Sequence, residues 1–297
     1  MRGLIYKALS YCEIKGWLLM KRELKGRLAL ILLAASWGGT FPAMKIAVSN
    51  LDVLFFLFLR FAVALLVFVL ILILTGRKPY PSLKGLGLGV VVFLGFLFQV
   101  FGIKYTSAIN SAFITSLNTP LIPILGFLIF GRKPSLRAIL GIALGMVGLA
   151  LLTEAYRIAS ISIGDLLTFI CAFLWALQIL LVDRLSKNMD VLKLAYSESI
   201  SVLTLSALFS LLTGENWTKP GDNALAAIIY TGVIATAFAF YIQAWAQRVV
   251  SPEIAGLILL LEPVFATIFA FLILQEMLNL IEALGAILIL LSIAISM

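Results

Sequence analysis

Long apolar runs, separated by short polar connections, make up most of the chain from residue 28 onward. A hydrocarbon core about 30 Å thick requires roughly 20 mostly apolar residues per spanning helix, because each helical residue rises about 1.5 Å. The runs are continuous over that length, whereas strands of a membrane barrel alternate apolar and polar positions over about ten residues. The pattern therefore predicts an all-α polytopic membrane protein.

Ten of these runs are long enough to cross a bilayer. Their predicted bounds are 28–50, 52–74, 83–104, 108–130, 136–153, 163–183, 191–213, 222–247, 252–274 and 280–296. The breaks between them carry turn residues, for example TGRKPYPS at 75–82 and TGENWTKPGDN at 213–223. Because no connection between the runs is longer than a loop, any function is expected to lie within the bilayer.

Composition and charge agree with this prediction. Hydrophobic residues make up 63% of the chain and charged residues 12%, which a soluble globule could not hold without large exposed apolar patches. Lys and Arg concentrate in alternate connections, as Arg77, Lys78, Lys84, Arg132, Lys133, Arg137, Arg184, Lys187, Lys193 and Arg248. The positive-inside rule therefore predicts a cell-membrane protein with both termini cytoplasmic. This topology signal also accounts for the net charge of +8, so no nucleic-acid partner is expected.

A basic leader, residues 1–27, precedes the first predicted span and contains seven Lys and Arg residues. Met20 stands directly before KRELKGR, which is a suitable cytoplasmic flank, so translation is expected to start at either Met1 or Met20. An alternative interpretation is an interfacial amphipathic helix that uses the apolar residues Leu4, Ile5, Leu9 and Trp17.

The second half of the chain repeats the first. A shift of 138 residues places SNLDVL, which begins at residue 49, on KNMDVL, and it also places Trp37 on Trp175. A shift of 143 residues places Pro120 on Pro263. Spans one to five therefore repeat as spans six to ten.

This repetition predicts the domain organisation. Each half contains an odd number of spans, so the second half enters the membrane from the opposite side. We predict a first five-helix repeat at 28–153, an external linker at 154–162 and an inverted second repeat at 163–297. Inverted repeats around a polar midplane are typical of carriers that work by alternating access. A duplication kept for purely structural reasons is the alternative.

Two stretches, SWGGTFPAMK at 36–45 and LEPVFATIFAFLILQEMLNLIEALGAILIL at 261–290, resemble the EamA family of the drug/metabolite transporter superfamily. Together with the two five-helix halves, this resemblance covers nearly everything from Leu24 to the end. It implies a ten-helix carrier of small metabolites, often an exporter of amino acids. It also implies a central cavity lined by helices from both halves.

Glu262 and Pro263 stand side by side near the middle of the ninth predicted span. An ionised carboxylate at the bilayer centre costs at least ~2.5 kcal/mol, so Glu262 is not expected to face lipid. Pro263 cannot donate a backbone hydrogen bond, which leaves a carbonyl one turn earlier without its partner. Pro120 has the same effect in the fourth span, beside Asn118. We predict that Glu262 and Asn118 bind substrate at these helix breaks; a structural acid and two bent helices are the alternative.

The other candidates for substrate binding are aromatic and amide side chains within the spans, namely Trp37, Gln99, Trp175, Gln178 and Tyr241. Trp37 and Trp175 lie near the centres of equivalent spans, away from the interfaces where tryptophan usually anchors. Their aromatic faces suit an apolar or cationic group. Gln178 is one turn from Trp175 and shares its helical face. Plain core packing is the alternative interpretation for each tryptophan.

Two further sets of residues are assigned structural roles. Arg60 and Glu198 occupy equivalent places in the second and seventh spans, and we predict that they form a structural charge pair, with substrate binding as the alternative. Gly141, Gly145 and Gly148 form a face of small residues suited to close helix packing. We expect this face to be used within the chain, and the protein to be a monomer or a weak homodimer.

The remaining inventory argues against an enzyme. The chain has no histidine, which removes the zinc-histidine and Ser-His sites of intramembrane enzymes. It also lacks a P-loop pattern. Cys12 and Cys171 fall in the leader and in a span, so no disulfide framework, metal site or cofactor is expected.

We therefore expect a secondary transporter that exports small metabolites, most simply amino acids or related zwitterions. Glu262 would meet a substrate ammonium group or carry protons as the coupling ion. A sugar phosphate would call for several cavity Lys or Arg residues, and the spans offer Arg60. A carrier of nucleosides, sugar derivatives or drug-like cations, or a structural membrane protein, are the alternatives.

Overall fold

The computed structural model describes residues 2–106, 108–155, 161–274 and 279–296. Its helices are α1 (Arg2–Gly38), α2 (Thr40–Val48), α3 (Val53–Leu74), α4 (Leu83–Tyr105), α5 (Ala108–Ser116), α6 (Asn118–Phe130), α7 (Leu136–Leu152), α8 (Ile163–Ser186), α9 (Val191–Leu212), α10 (Asp222–Ile229), α11 (Ala239–Ala246), α12 (Pro252–Leu259), α13 (Leu261–Leu274) and α14 (Leu280–Ser296). A π-helical segment, Tyr230–Phe238, joins α10 to α11.

These helices form ten membrane spans, which confirms the predicted fold class. Eight spans are long and apolar enough to cross a bilayer, and the other two, α7 and α14, are apolar helices of 17 residues. Span 1 consists of α1 and α2, span 4 of α5 and α6, span 8 of α10 to α11, and span 9 of α12 and α13. Single helices form the others, in chain order.

The leader continues without a break into the first part of span 1, because α1 runs from Arg2 to Gly38. At about 1.5 Å per residue, its 37 residues extend over about 55 Å. The side chains Leu4, Ile5, Leu9 and Trp17, on which the interfacial alternative depends, lie outside the described part of the chain, as does that of Cys12. Residues 156–160 of the predicted linker also lie outside it.

The main contacts between the two halves are symmetric. For each of them, the equivalent spans in the opposite halves are also in contact. Span 3 contacts spans 6 and 7, and correspondingly span 8 contacts spans 1 and 2. Span 4 contacts span 6, just as span 9 contacts span 1. Three contacts join a span to its own equivalent in the other half, namely span 2 to span 7, span 4 to span 9, and span 5 to span 10. This is the packing expected for inverted repeats.

Spans 5 and 10 approach each other closely because glycine lines the contact. A Cβ atom added at Gly148 would lie 2.7 Å from the carbonyl oxygen of Gly285, and one added at Gly145 would lie 2.9 Å from Ser292 Oγ, both in span 10. Real Cβ atoms do not tolerate such distances. The predicted face of small residues is therefore buried within the chain.

The connections divide into a basic end and an acidic end of the bundle. The basic end comprises the connections after spans 2, 4, 6 and 8, with Arg77, Arg132, Lys187 and Arg248. The acidic end comprises the connections after spans 1, 5 and 7 and the helix ends beside them, where the acids Asp52, Glu154, Asp165, Glu215 and Asp222 outnumber the described cations Lys45 and Lys219. Gly26 of α1 and Ser296 of α14 both lie at the basic end. A Cβ atom at Gly26 would meet Val249 at 2.8 Å, and Ser296 Oγ donates to the Arg137 carbonyl at 3.3 Å.

Three charged side chains join the halves at the basic end. The buried carboxylate of Asp183, in span 6, lies 2.7 Å from Arg132 Nη1 and 2.6 Å from Lys187 Nζ. Arg132 follows span 4, so its contact with Asp183 joins the two halves. The contact is an ion pair, and its geometry at Asp183 Oδ2 is not that of a hydrogen bond. A buried carboxylate is costly to leave without a cation. This cluster therefore holds the halves together at the basic end.

Candidate functional site

Spans 4 and 9 break at equivalent points. The amides of Leu117 and Leu260 each bond to a carbonyl three residues earlier, at 3.1 and 3.2 Å, which forms a tight turn between two α-helices. Pro120 and Pro263 follow three residues later, in the first turn of the next helix. A missing N–H is tolerated there, because first-turn amides have no partner within the helix. The two prolines therefore begin new half-helices instead of bending continuous ones.

A cavity of about 50 Å³ lies between the halves beside these breaks. Six of the residues predicted to bind substrate line it, namely Trp37, Gln99, Asn118, Trp175, Gln178 and Glu262. They belong to spans 1, 3, 4, 6 and 9, so both halves contribute. A water molecule needs about 10–15 Å³ of such space, so the cavity holds only a few waters. The space between the two halves is therefore small in this structure.

The SWGG stretch of span 1 places Trp37 in this cavity. Its indole Nε1 donates to the carbonyl of Ala235, in the π-helical segment of span 8, at 3.0 Å. A Cβ atom at Gly38 would lie 3.0 Å from the backbone oxygen of Glu262, and one at Gly39 would lie 2.7 Å from a tyrosine hydroxyl of span 8. The two glycines therefore let span 1 lie directly against spans 8 and 9.

Trp175 contributes a second aromatic surface. It packs edge-on against Phe96 of span 3, with ring centroids 4.8 Å apart and an interplanar angle of 81°. Gly95 leaves room for the indole, because a Cβ atom there would be in ordinary contact at 3.5 Å. Phe96 in turn lies 4.3 Å from the guanidinium carbon of Arg60, which also lines the cavity. Aromatic faces and a cation are thus adjacent in the cavity wall.

Gln178 is fixed by an amide pair that sequence reasoning did not find. Its Nε2 donates to Gln243 Oε1 at 3.0 Å, and Gln243 Nε2 donates back at 3.1 Å. Gln243 therefore orients Gln178 instead of lining the cavity itself. Tyr241, two positions away, does not line the cavity and is 41% exposed. Its side chain is turned by about 100° per residue from the inward-facing Phe240.

Besides the Thr115 hydroxyl, three polar groups of the cavity have no hydrogen-bond or ion-pair partner among the described residues. They are the Glu262 carboxylate, the Gln99 amide and the side-chain nitrogen of Asn118. The Asn118 oxygen accepts from Thr119 Oγ1 at 3.1 Å. Groups without a protein partner in an apolar bundle are available to a solute.

The predicted ion pair between Arg60 and Glu198 does not form. Both residues are buried, and within the described part of the chain no ion pair of 4.0 Å or less joins them. Arg60 Nε instead donates to Thr236 Oγ1 at 2.8 Å, and its Nη2 donates to the Ala235 carbonyl at 3.3 Å. The Glu198 backbone lies against Gly89 of span 3. Arg60 turns to span 8 because the π-helical segment presents two acceptors there.

Several cavity residues were not predicted to bind substrate: Arg60, Thr40, Met44, Phe96, Thr115 and Ile179. Met44, Phe96 and Ile179 are apolar residues in apolar helices, so no sequence signal separates them from core residues. Arg60 did carry a signal, since an ionisable residue within a span is functional by default. No group of three or more His, Cys, Asp and Glu residues that could hold a metal occurs in the described ranges.

Ten spans in two inverted repeats around a polar cavity define the class as a membrane transporter. The family model described as the EamA-like transporter family matches residues 24–154 and again residues 162–297. The chain therefore belongs to the EamA-like transporter family, whose members are transporters and not enzymes.

Individual proteins support the same assignment. One described as an uncharacterized transporter of Archaeoglobus fulgidus is 32% identical over 287 residues, covering 97% of this chain and 90% of that protein. The uncharacterized transporter YoaV of Bacillus subtilis is 22% identical, covering 89% and 94%. A solved structure described only as "Crystal structure of protein" has a TM-score of 0.77 at 18% identity, covering 93% of this chain and 98% of that one. This last likeness concerns the fold alone.

Proposed function

We propose that the protein is a secondary transporter that exports amino acids or related zwitterions by alternating access. The observation that carries this proposal is the shared cavity of the halves, which Glu262 lines together with the aromatic rings of Trp37 and Trp175. A carboxylate and aromatic faces together suit an ammonium group. The amides of Gln99 and Asn118 provide hydrogen bonds for the remainder of a small polar solute.

Alternating access is supported by the size of the cavity and by the helix breaks. At about 50 Å³ the cavity is smaller than the roughly 300 Å³ at which small-molecule pockets begin. The halves must therefore separate to admit a solute. The turns at Leu117 and Leu260 lie beside the cavity at equivalent positions, and helix ends of this kind commonly serve as hinges.

The orientation is proposed from charge. The positive-inside rule assigns the basic end, with Arg77, Arg132 and Arg248, to the cytoplasm. Because Gly26 and Ser296 lie near that end, both termini would be cytoplasmic. Export then moves the solute from the basic end, through the cavity, to the acidic end.

Proton coupling is proposed from the environment of Glu262. An ionised carboxylate in an apolar bundle is stabilised either by a bound cation or by taking up a proton. If a substrate ammonium group and a proton compete for this carboxylate, binding of one releases the other. Such competition links solute movement to proton movement through a coupling free energy.

The first prediction tests this role. In liposomes containing the purified protein, counterflow of labelled standard amino acids should identify at least one substrate. Glu262→Gln should lower its concentrative transport about tenfold or more, because the amide cannot neutralise an ammonium group. Glu253→Gln, in the same span but outside the cavity, is the matched control and should transport like the parent. Parental transport by Glu262→Gln from mildly acidic to mildly alkaline pH would make the carboxylate structural.

A further inference from the structure

Arg60 is a cation buried within the membrane part of the bundle. It is 1% exposed and lines the central cavity, about 10 Å along α3 from Val53. A charged side chain at such depth is expensive, and it is retained where it pairs with a charge or serves a solute pathway. The absence of a protein carboxylate beside it therefore requires an explanation.

The protein uses only part of the hydrogen-bonding capacity of Arg60. A guanidinium has five N–H donors. One bonds to Thr236 Oγ1, one to the Ala235 carbonyl and one, weakly, to Met44 Sδ at 3.7 Å, which leaves two. Within the described residues no carboxylate lies within 4.0 Å of Arg60, and Phe96 covers its guanidinium at 4.3 Å. The side chain is thus held in place by neutral groups while its charge stays uncompensated.

The cavity contains one group of each charge, and neither has an ionic partner in the described chain. Glu262 supplies the negative charge and Arg60 the positive one, and both line the same small space. A solute with an ammonium group alone would leave Arg60 unpaired, and a solute with a carboxylate alone would leave Glu262 unpaired. Burying an unpaired charge is more costly than burying a hydrogen-bonded pair.

We propose that Arg60 binds the carboxylate of the transported solute, while Glu262 binds its ammonium group. This inference rests on the proposed function and narrows it to solutes that carry both charges on one small head group, as amino acids do. The planar guanidinium, oriented by Thr236 and Phe96, presents paired donors to a carboxylate, which lysine cannot do. Arg60 thereby acts as a specificity-determining residue.

A purely structural role is the competing explanation, since Arg60 also ties α3 to the π-helical segment. The two roles differ in one measurable respect. A structural tie affects all solutes equally, whereas a carboxylate-binding residue affects only solutes that carry a carboxylate. Comparing solutes that differ by one charged group separates the two roles, in the manner of a double-mutant cycle.

The second prediction uses the standard amino acid with the highest counterflow, its decarboxylated amine and its deaminated acid. For leucine these are 3-methylbutylamine and 4-methylpentanoate. Equilibrium binding to the purified protein is measured by ligand-induced thermal stabilisation. The unmodified protein should bind the amine and the acid each about tenfold or more weakly than the amino acid, since each leaves one buried charge unpaired. Equal binding of the amine and the amino acid would overturn the proposal without any variant.

Variants then assign the discrimination to Arg60. Arg60→Met should bind the amino acid and the amine within about threefold of each other, with binding of the amine little changed. Arg60→Lys should keep part of the preference for the amino acid over the amine. Lysine keeps the positive charge but loses the planar pair of N–H donors that a guanidinium presents to a carboxylate. Arg184→Met is the matched control, since Arg184 also lies over an aromatic ring, at 5.0 Å from Phe130, but outside the cavity. It should discriminate like the parent.

The outcomes separate this inference from the proposed function. If no amino acid shows counterflow and none binds, the proposed function fails and this inference fails with it. If an amino acid is transported but Arg60→Met weakens the amino acid and the amine equally, the function stands and the carboxylate assignment to Arg60 is wrong. If Arg60→Met is not monodisperse, the graded response of Arg60→Lys and the solute series on the parent decide the matter.

Discussion

The contact between spans 2 and 7 has two ends, and they use different chemistry at equivalent positions. At the acidic end, the Glu215 carboxylate accepts hydrogen bonds from the backbone amides of Leu54 and Phe55, at 3.1 and 2.8 Å. A carboxylate from the connection after span 7 thus binds the N-terminus of span 2 directly. At the basic end, the N-terminus of span 7 is capped by its own Asp190, and Arg77 pairs with that carboxylate at 3.0 Å. The shift of 138 residues places Arg77 on Glu215.

Aromatic contacts follow the same correspondence. At the acidic end, the ring of Trp217 lies 5.1 Å from that of Phe55 and 4.8 Å from that of Phe58. At the basic end, the equivalents of these phenylalanines are Lys193, whose ammonium lies 3.9 Å from a tyrosine ring centre, and Tyr196, which donates to a proline carbonyl. The inverted repeat thus conserves where the halves touch, while the residue types follow the net charge of each end.

This comparison predicts unequal stabilities for the two ends. Glu215→Ala should have the largest effect, about 3 kcal/mol, because it removes two charge-assisted hydrogen bonds from a helix N-terminus, each contributing about 1.5 kcal/mol. The measurement is the free energy of unfolding in detergent. Asp222→Ala is the matched control, an exposed acid in the next helix of the same end, and should cost under about 1 kcal/mol. A loss at Glu215 no larger than that of the control would show that this carboxylate does not hold the interface.

The spans were predictable from sequence because the bilayer imposes a length of apolar chain that few other structures require. The break in span 9 was also predictable, since Pro263 removes a backbone donor beside a costly carboxylate. The break at Gly39 and the π-helical segment were not predicted. The break at Gly39 depends on the close contact of this glycine with span 8. The π-helical segment contains no proline, and its Ala235 carbonyl accepts hydrogen bonds from the side chains of Trp37 and Arg60.

The sequence indicates which polar residues lie near the cavity more readily than it indicates where their side chains point. Trp37, Gln178 and Glu262 were candidates because polar and aromatic groups at mid-span need a reason to be there. Arg60 was assigned to the wrong partner because equivalence between repeats gives the position of a residue and not its rotamer. Tyr241 lies outside the cavity for a related reason, since a turn of about 100° per residue decides between cavity and surface.

A second way to break the comparison is to remove its aromatic part. Trp217→Ala should lower the free energy of unfolding by about 2 kcal/mol, less than a fully buried tryptophan, because Trp217 is 45% exposed. Trp217→Phe should recover most of this loss, since a ring remains against Phe55 and Phe58. The loss of the indole hydrogen bond to Ser210 Oγ, at 3.0 Å, should account for the rest. If both variants are equally unstable, the hydrogen bond and not the ring contact holds this end.

The smallest effect is expected at the basic end. The side chains of Arg77 and Asp190 are 53% and 47% exposed, and exposed ion pairs contribute about 0–1 kcal/mol. Arg77→Ala should therefore cost less than about 1 kcal/mol, and the difference from the parent should vanish in high salt because the pair is screened. Unfolding in detergent at low and high salt measures this. A salt-independent loss comparable to that at Glu215 would contradict the assignment of the basic end to surface electrostatics.

A double variant sharpens the same test by moving the chemistry of one end to the other. Arg77→Glu alone should be less stable than Arg77→Ala, because the new carboxylate faces Asp190. Adding Asp190→Ser removes the repulsion between the two carboxylates. It also frees backbone amides at the start of α9, among them that of Lys193, which donates a hydrogen bond to Asp190 Oδ1 at 3.0 Å in the parent. If the two ends are geometrically equivalent, the new carboxylate should accept these amides as Glu215 does, and the double variant should be more stable than Arg77→Glu. No recovery would mean that the equivalence holds for the helices but not for the loops that reach them.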